Sequence, residues 1–287
     1  MQPLDDLIPA GTTVVVLDTS PARNLAYESV PLPWVVTFGK MARSGYLFSL
    51  SDNAFAELIS QVASGAITRE QAARMLEQLK TFLSPRLPIL PGKRDLYALI
   101  GSSEVASDWS IDQVRALSVQ SWELLNRANS AVGGKPLSAD EELQSERETW
   151  FAIFEKLGES DVTNEPLNEY EHGQLTIALT GSDSKVPELS PPLSVRWDLQ
   201  MRLLWRQYVR SKKASEPYDP TSPKKRNDGI DFDLFHYLLL PALVVATDSG
   251  FFEKLVDIKS YQKAWFWKPE ALAQAWTAGE RPCATWP

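Results

Sequence analysis

Short unbroken apolar runs alternate with longer stretches of helical periodicity along this chain. Thr13 to Leu17 is β-branched, continuous and only a few residues long, which predicts a strand buried on both faces. The prolines at 21, 31 and 33 predict an irregular stretch from Pro21 to Pro33. Gly45 to Leu50 reads as a second strand. Ser51 then offers an N-cap to a helix over Asp52 to Ser64, with Phe55, Leu58, Ile59 and Val62 on one face and Gly65 ending it. Thr68 with Gln71 forms a capping-box pattern for a helix running to about Leu83, after which Pro85, Pro88 and Pro91 mark an extended connection.

Two further capping-box patterns, Ser110 with Gln113 and Ser138 with Glu141, predict helices near 110–132 and 138–158, separated by Gly133 and Gly134. Trp197, Met201, Leu204, Trp205 and Tyr208 repeat at helical spacing and predict a helix over Ser194 to Lys213 whose aromatic stripe is core. Ser215 to Gly229 reads as an exposed loop. A helix from Asp231 to Leu240, a strand at Leu243 to Ala246 and a short helix around Phe251 to Val256 follow. A tail with Trp265, Trp267, Trp276 and Trp286 is expected to pack back as one or two helices. The plan is β, β-α-α, a helical middle, then α-β-α, which predicts an α/β fold with a parallel sheet.

Composition adds bounds. With 44% hydrophobic and 23% charged residues over 287 positions, the chain can build a sizeable core as one domain carrying an insertion. The single cysteine, Cys283, excludes an intrachain disulfide and suits a reducing, cytoplasmic setting. The acidic N-terminus lacks the order of a signal peptide, and the longest apolar run, Leu238 to Ala246, is interrupted by Pro241 and too short for a membrane span. A net charge of −8 argues against a protein that coats nucleic acid over its whole surface. Positive charge is concentrated at Lys212, Lys213, Lys224, Lys225 and Arg226, which form either a patch for a phosphate backbone or a solvated basic loop.

The candidate chemistry lies in acids that stand at element edges. Asp18 ends the first apolar run and Asp248 follows the last one; Glu57 lies in the first turns of a helix, and Asp231 and Asp233 open another. Open α/β folds place ligands at the carboxyl ends of their strands, so these positions predict one shared pocket. Two carboxylates about 5 Å apart repel by roughly 3 kcal/mol at an effective dielectric near 20, so converging acids need protons or a cation. Hard oxygen donors select Mg²⁺ or Mn²⁺, and such ions activate water against phosphate esters. Each acid also has a plainer reading: Glu57 as a solvated helix residue, Asp231 and Asp233 as acids favouring the helix dipole, Asp248 as an N-cap. His236 sits on a mostly apolar helix and reads as a packed structural residue; His172 has no ligand neighbours at zinc spacing.

Three separated segments resemble the PIN domain family of nucleases. Val14-Val15-Val16-Leu17-Asp18-Thr19-Ser20 is similar to that family's opening strand, and Tyr46 to Ser51 leading to Ala56-Glu57-Leu58 is similar to its second strand and helix-borne glutamate. Asp231-Phe232-Asp233-Leu234-Phe235-His236, continuing to Val244-Val245-Ala246-Thr247-Asp248-Ser249-Gly250-Phe251, resembles its closing helix, strand and acidic element, with Ala246 where the usual Thr stands. The resemblance implies a PIN-like three-layer fold with a central parallel sheet, spanning 1–287 as a single domain. The helical insertion is expected at about 95–215 and a helical C-terminal tail at about 257–287.

It implies a Mg²⁺- or Mn²⁺-dependent nuclease with single-stranded RNA preferred over DNA as substrate, no membrane partner, and a homo-oligomer or protein inhibitor left open. Asp18, Glu57, Asp248 and one of Asp231 or Asp233 would be the catalytic and metal-holding acids, with Ser20 and Thr247 bonding to the carboxylates. Spacing to Asp248 favours Asp231, whereas the Asp-Leu-x-His pattern favours Asp233. The competing expectation is a catalytically inactive scaffold of the same fold that binds a protein or nucleic-acid partner.

Overall fold

The computed structural model describes residues 7–99, 110–128, 193–213 and 228–287, together with positions 148, 152, 155 and 222. Its centre is a four-stranded sheet, every pair parallel, in the order β2-β1-β3-β4. The strands are β1 (Thr13–Leu17), β2 (Tyr46–Leu50), β3 (Ala242–Val245) and β4 (Phe266–Trp267). The fold is therefore α/β, with a strand order and helix content compatible with three layers. Val15 pairs with Phe48 on one side and Leu243 on the other. Such a position has no solvent face, which explains why β1 is an apolar run without alternation: Val14 to Leu17 are all buried. Each such side chain contributes about 1.5–3 kcal/mol of hydrophobic stabilisation.

Between β1 and β2 the expected irregular stretch holds from 25 to 32, but its first residues and its last belong to helices. These are α1 (Thr19–Asn24) and α2 (Pro33–Ala42). Pro21 and Pro33 lie in the first turns of these helices, where the missing N–H would have had no partner and the fixed φ suits the helix. The face of α2 that carries Trp34, Val35, Phe38 and Met41 is buried, with Phe38 stacked near Phe48 of β2 at 4.7 Å between centroids.

Helix α3 (Asp52–Ala63) starts as expected, the Ser51 hydroxyl accepting from Ala54 N at 3.0 Å. Helix α4 (Arg69–Leu79) has both capping-box bonds, Thr68 N to Gln71 Oε1 at 2.8 Å and Gln71 N to Thr68 Oγ1 at 3.3 Å. It ends at Leu79 rather than near Leu83, because the chain turns to lay 83–90 along β2. Ser84 N donates to Phe48 O and Leu50 N to Pro88 O, both at 2.8 Å. Pro85, Pro88 and Pro91 suit that edge, where a strand's outer N–H groups are not needed.

Helices α5 (Lys93–Leu99) and α6 (Ile111–Ala128) follow; the Ser110–Gln113 capping box opens the second, with bonds of 2.7 and 3.3 Å. The helix expected at 138–158, His172, most of the loop at 215–229 and the basic positions Lys224, Lys225 and Arg226 lie outside the described residues. The stripe Trp197, Met201, Leu204, Trp205 and Tyr208 is buried, as its spacing predicts, but the helix is broken at Trp197 into Leu193–Arg196 and α7 (Asp198–Lys213). Next comes α8 (Asp228–Asp233), which tightens into a 3₁₀ segment over Leu234–Leu239 before β3, then α9 (Ser249–Leu255). The tail holds helix α10 (Pro269–Thr277), packed on α2, and also supplies β4. No helix among the described residues is long and apolar enough to cross a membrane.

Candidate functional site

Strand β1 is flanked by β2, which follows it in the chain, and by β3, which arrives from the far end of the sequence. The chain leaves β1 toward β2 and leaves β3 toward β4, so the strand order reverses between their carboxyl ends, the switch point at which open α/β sheets carry a crevice. That is the place where parallel sheets hold ligands. Asp18 N donates to Val245 O at 2.9 Å and Ser51 N to Leu17 O at 3.0 Å, closing the three strands just below the crevice.

Asp18 caps α1 and accepts from the Ser20 hydroxyl at 2.8 Å. The same Ser20 oxygen accepts from Thr247 N at 3.1 Å, so one hydroxyl ties the acid of β1 to the loop after β3. Burial pushes the Asp18 carboxyl above the ordinary carboxylate range against the bonds from Ser20 and Thr19, and the charge of Asp248 adds to the push. Glu57, two turns into α3, accepts a short hydrogen bond from the buried Thr19 hydroxyl. Its carboxyl is also raised, by burial first and then by the charges of Asp18 and Asp231, while Arg23 and the Thr19 bond oppose the shift. Asp248 is exposed and caps α9, accepting from Gly250 N at 2.8 Å. Asp231 pairs with the Lys254 ammonium of α9.

The two acids of α8 part company. Two residues along a helix rotate a side chain by about 200°; the charge of Asp231 reaches Glu57, while Asp233 bonds to Asn53. Asp233 Oδ2 accepts from Asn53 Nδ2 at 2.6 Å, and Oδ1 stands 3.3 Å from His236 Nε2. Burial alone would raise its carboxyl, but His236, Asn53 and the Lys93 ammonium outweigh that and hold it below the ordinary range. His236 is buried, with Tyr97 Oη 2.5 Å and Gln200 Nε2 3.2 Å from its Nδ1. Asp233 and His236 therefore belong to a polar tie between α3, α5, α7 and the segment before β3.

The charge of Asp248 thus reaches Asp18 and those of Asp18 and Asp231 reach Glu57, but each acid is satisfied separately: Asp18 by Ser20, Glu57 by Thr19, Asp231 by Lys254 and Asp248 by Gly250 N. Among the described residues no three Asp, Glu, His or Cys side chains are drawn together closely enough to hold a metal ion. The donor chemistry nonetheless suits a hard cation, since the acids present only oxygens and two of them are half-buried with raised proton affinity. Of the residues predicted as basic contacts, Lys212 and Lys213 fall in the last turn of α7, with side chains outside the described set.

Three contributors were missed in the sequence. Thr19 follows the strand-ending acid and could have been flagged as a hydroxyl in the same turn. Arg23 lies one turn along α1, and Lys254 two turns along α9 from Asp248; nothing in their spacing marks them. No family model matches the chain, and no curated protein or solved structure matches it significantly.

Proposed function

We propose that this chain is a PIN-like, metal-dependent nuclease hydrolysing phosphodiester bonds, with single-stranded RNA preferred over DNA. One observation carries the reading: Asp18 at the end of β1 is tied through Ser20 to the loop after β3 that leads to Asp248, and Glu57 is tied to the same turn through Thr19, so acids from both halves of the chain meet at the point where the strand order reverses. Asp18, Glu57, Asp231 and Asp248 are the residues that would hold Mg²⁺ or Mn²⁺. A bound ion there supplies positive charge for the phosphate oxygens and lowers the pKa of the attacking water. Ser20 aims the Asp18 carboxylate, and Thr247 supports it through its backbone N–H rather than its side chain. Thr19 does the same for Glu57. Arg23 and Lys254 stand at the rim, where cations can meet a substrate phosphate.

Asp18→Asn and Asp248→Asn are each expected to lower cleavage of single-stranded RNA at least a hundredfold while the fold is retained, and excess chelator is expected to abolish it. Cleavage that survives both substitutions and the chelator sinks the reading. The Lys254–Asp231 pair favours a second one, an inactive scaffold of the same fold, because an ammonium already neutralises one of the acids. A melting temperature unmoved by Mn²⁺ would decide for the scaffold.

A further inference from the structure

Beside the acids, and sharing none of them, lies a half-open cavity of about 440 Å³. That size is enough for a small planar ligand. Its lining mixes apolar side chains, Ile89, Leu96 and Val114 among them, with Asp52, Asp95, Asp233 and Lys93. The walls are pinned. Tyr237 Oη accepts from Asp52 N at 2.9 Å, and Ser118 Oγ donates to Ile89 O at 2.6 Å while accepting from Ile89 N at 3.0 Å. Gly92 leaves room for the Asp52 carboxylate, since a Cβ there would stand 2.5 Å from Asp52 Oδ2 and push that side chain aside.

The cavity is placed by the same two helices that place the acids. Asn53, in its wall, is one helical turn from Glu57 on α3, and Asp233, also in its wall, is two residues from Asp231 on α8. Asn53 bonds to Asp233 in the cavity wall, as Glu57 faces Asp231 in the acid site. The two sites are therefore neighbouring rungs about 6 Å apart along α3.

We infer that this cavity is a nucleobase subsite, which takes an unpaired base of the substrate strand and prefers one with an exocyclic amine. The inference rests on the nuclease reading for its substrate class. The apolar side chains of the lining accept the flat faces of a base, and the carboxylates of Asp52 and Asp95 pair with the amine of adenine or cytosine. Uracil offers a carboxylate only its N3–H, set between two carbonyl oxygens.

Free nucleosides test this without phosphate or metal. Saturation-transfer NMR on the full chain in EDTA, with adenosine, cytidine and uridine at equal millimolar concentration, is expected to give at least threefold stronger transfer to adenosine and cytidine than to uridine. Leu117→Trp, and separately Ser121→Phe, fill the cavity from α6 and are expected to remove that transfer with the melting temperature retained. The inference is overturned if the unmodified protein binds no nucleoside or binds uridine equally, or if binding survives a filled cavity. A Mn²⁺ thermal shift on the same sample keeps the two readings apart. Nucleoside binding without a shift sinks the metal site and leaves the subsite, whereas a shift without nucleoside binding does the reverse.

Discussion

At the scale of single residues, the raised carboxyl of Asp18 makes a sign-definite prediction. Burial raises its folded pKa above its unfolded one. The stability it contributes is therefore fully present below the unfolded value, near 4, and is lost as pH rises through the folded value. At neutral pH the buried charge works against the fold. Asp18→Asn keeps a residue that caps α1 equally well and removes that charge. It is expected to raise the stability of the metal-free protein at pH 7.5 and to have no such effect at pH 4. Melting curves across that range check it, and a loss of stability at pH 7.5 would show that the bond from Ser20 matters more than the burial of charge. The position of Asp18 was legible in the sequence because an acid directly after a buried run has few other uses. The choice between Asp231 and Asp233 was not. Both open the same helix, and only its rotation about the axis separates the acid facing Glu57 from the one facing Asn53 and His236.

At the scale of elements, what sequence could read were features with local causes. Both capping boxes in the described chain formed, and the buried strands β1, β2 and β3 lie within a residue of their apolar runs. What it missed depended on partners. Helix α2 was hidden by prolines that mark a helix start as readily as a loop, and β4 is two residues long and exists because β3 offers an edge. The orientation of α3 against α8 is likewise non-local, held by Asn53 to Asp233 across 180 positions. Asn53→Ala takes one donor from a buried carboxylate and is expected to cost roughly 1–3 kcal/mol. The effect has a pH signature. Asp233 is held below its unfolded value, so the stability it gives is present above that value and is lost as pH falls through the folded one. The penalty for Asn53→Ala should therefore shrink in acid, and equilibrium urea unfolding at pH 7 and pH 3.5 measures both ends. An equal loss at the two pH values would mean that the amide acts only through packing.

At the scale of the whole molecule, the acids come from opposite ends of the sequence. Asp18 and Glu57 belong to the first β-α passage, and Asp231, Asp248 and Lys254 to the last. The sheet order sets the first and last passages side by side, so any cation that binds acids of both must stabilise the closed fold and not one element of it. Lys254 is the competitor. Its ammonium holds Asp231 with both side chains only partly exposed, at 29% and 21%, so the pair is weakly screened and its removal is felt by the acids around it. Lys254→Met leaves Asp231 facing Glu57 without that cation, which is expected to lower the melting temperature of the metal-free protein. If the site takes a divalent ion, the same substitution should increase the Mn²⁺-induced rise in melting temperature, since the ion no longer displaces an ammonium. An ion at a hundred times its dissociation constant contributes about 2.7 kcal/mol, which is ample to read in a thermal scan. A substitution that destabilises the protein and leaves it indifferent to Mn²⁺ would mean that Lys254 is the permanent counter-charge of the cluster. The crevice would then be a scaffold's surface, with its acids neutralised from within the chain.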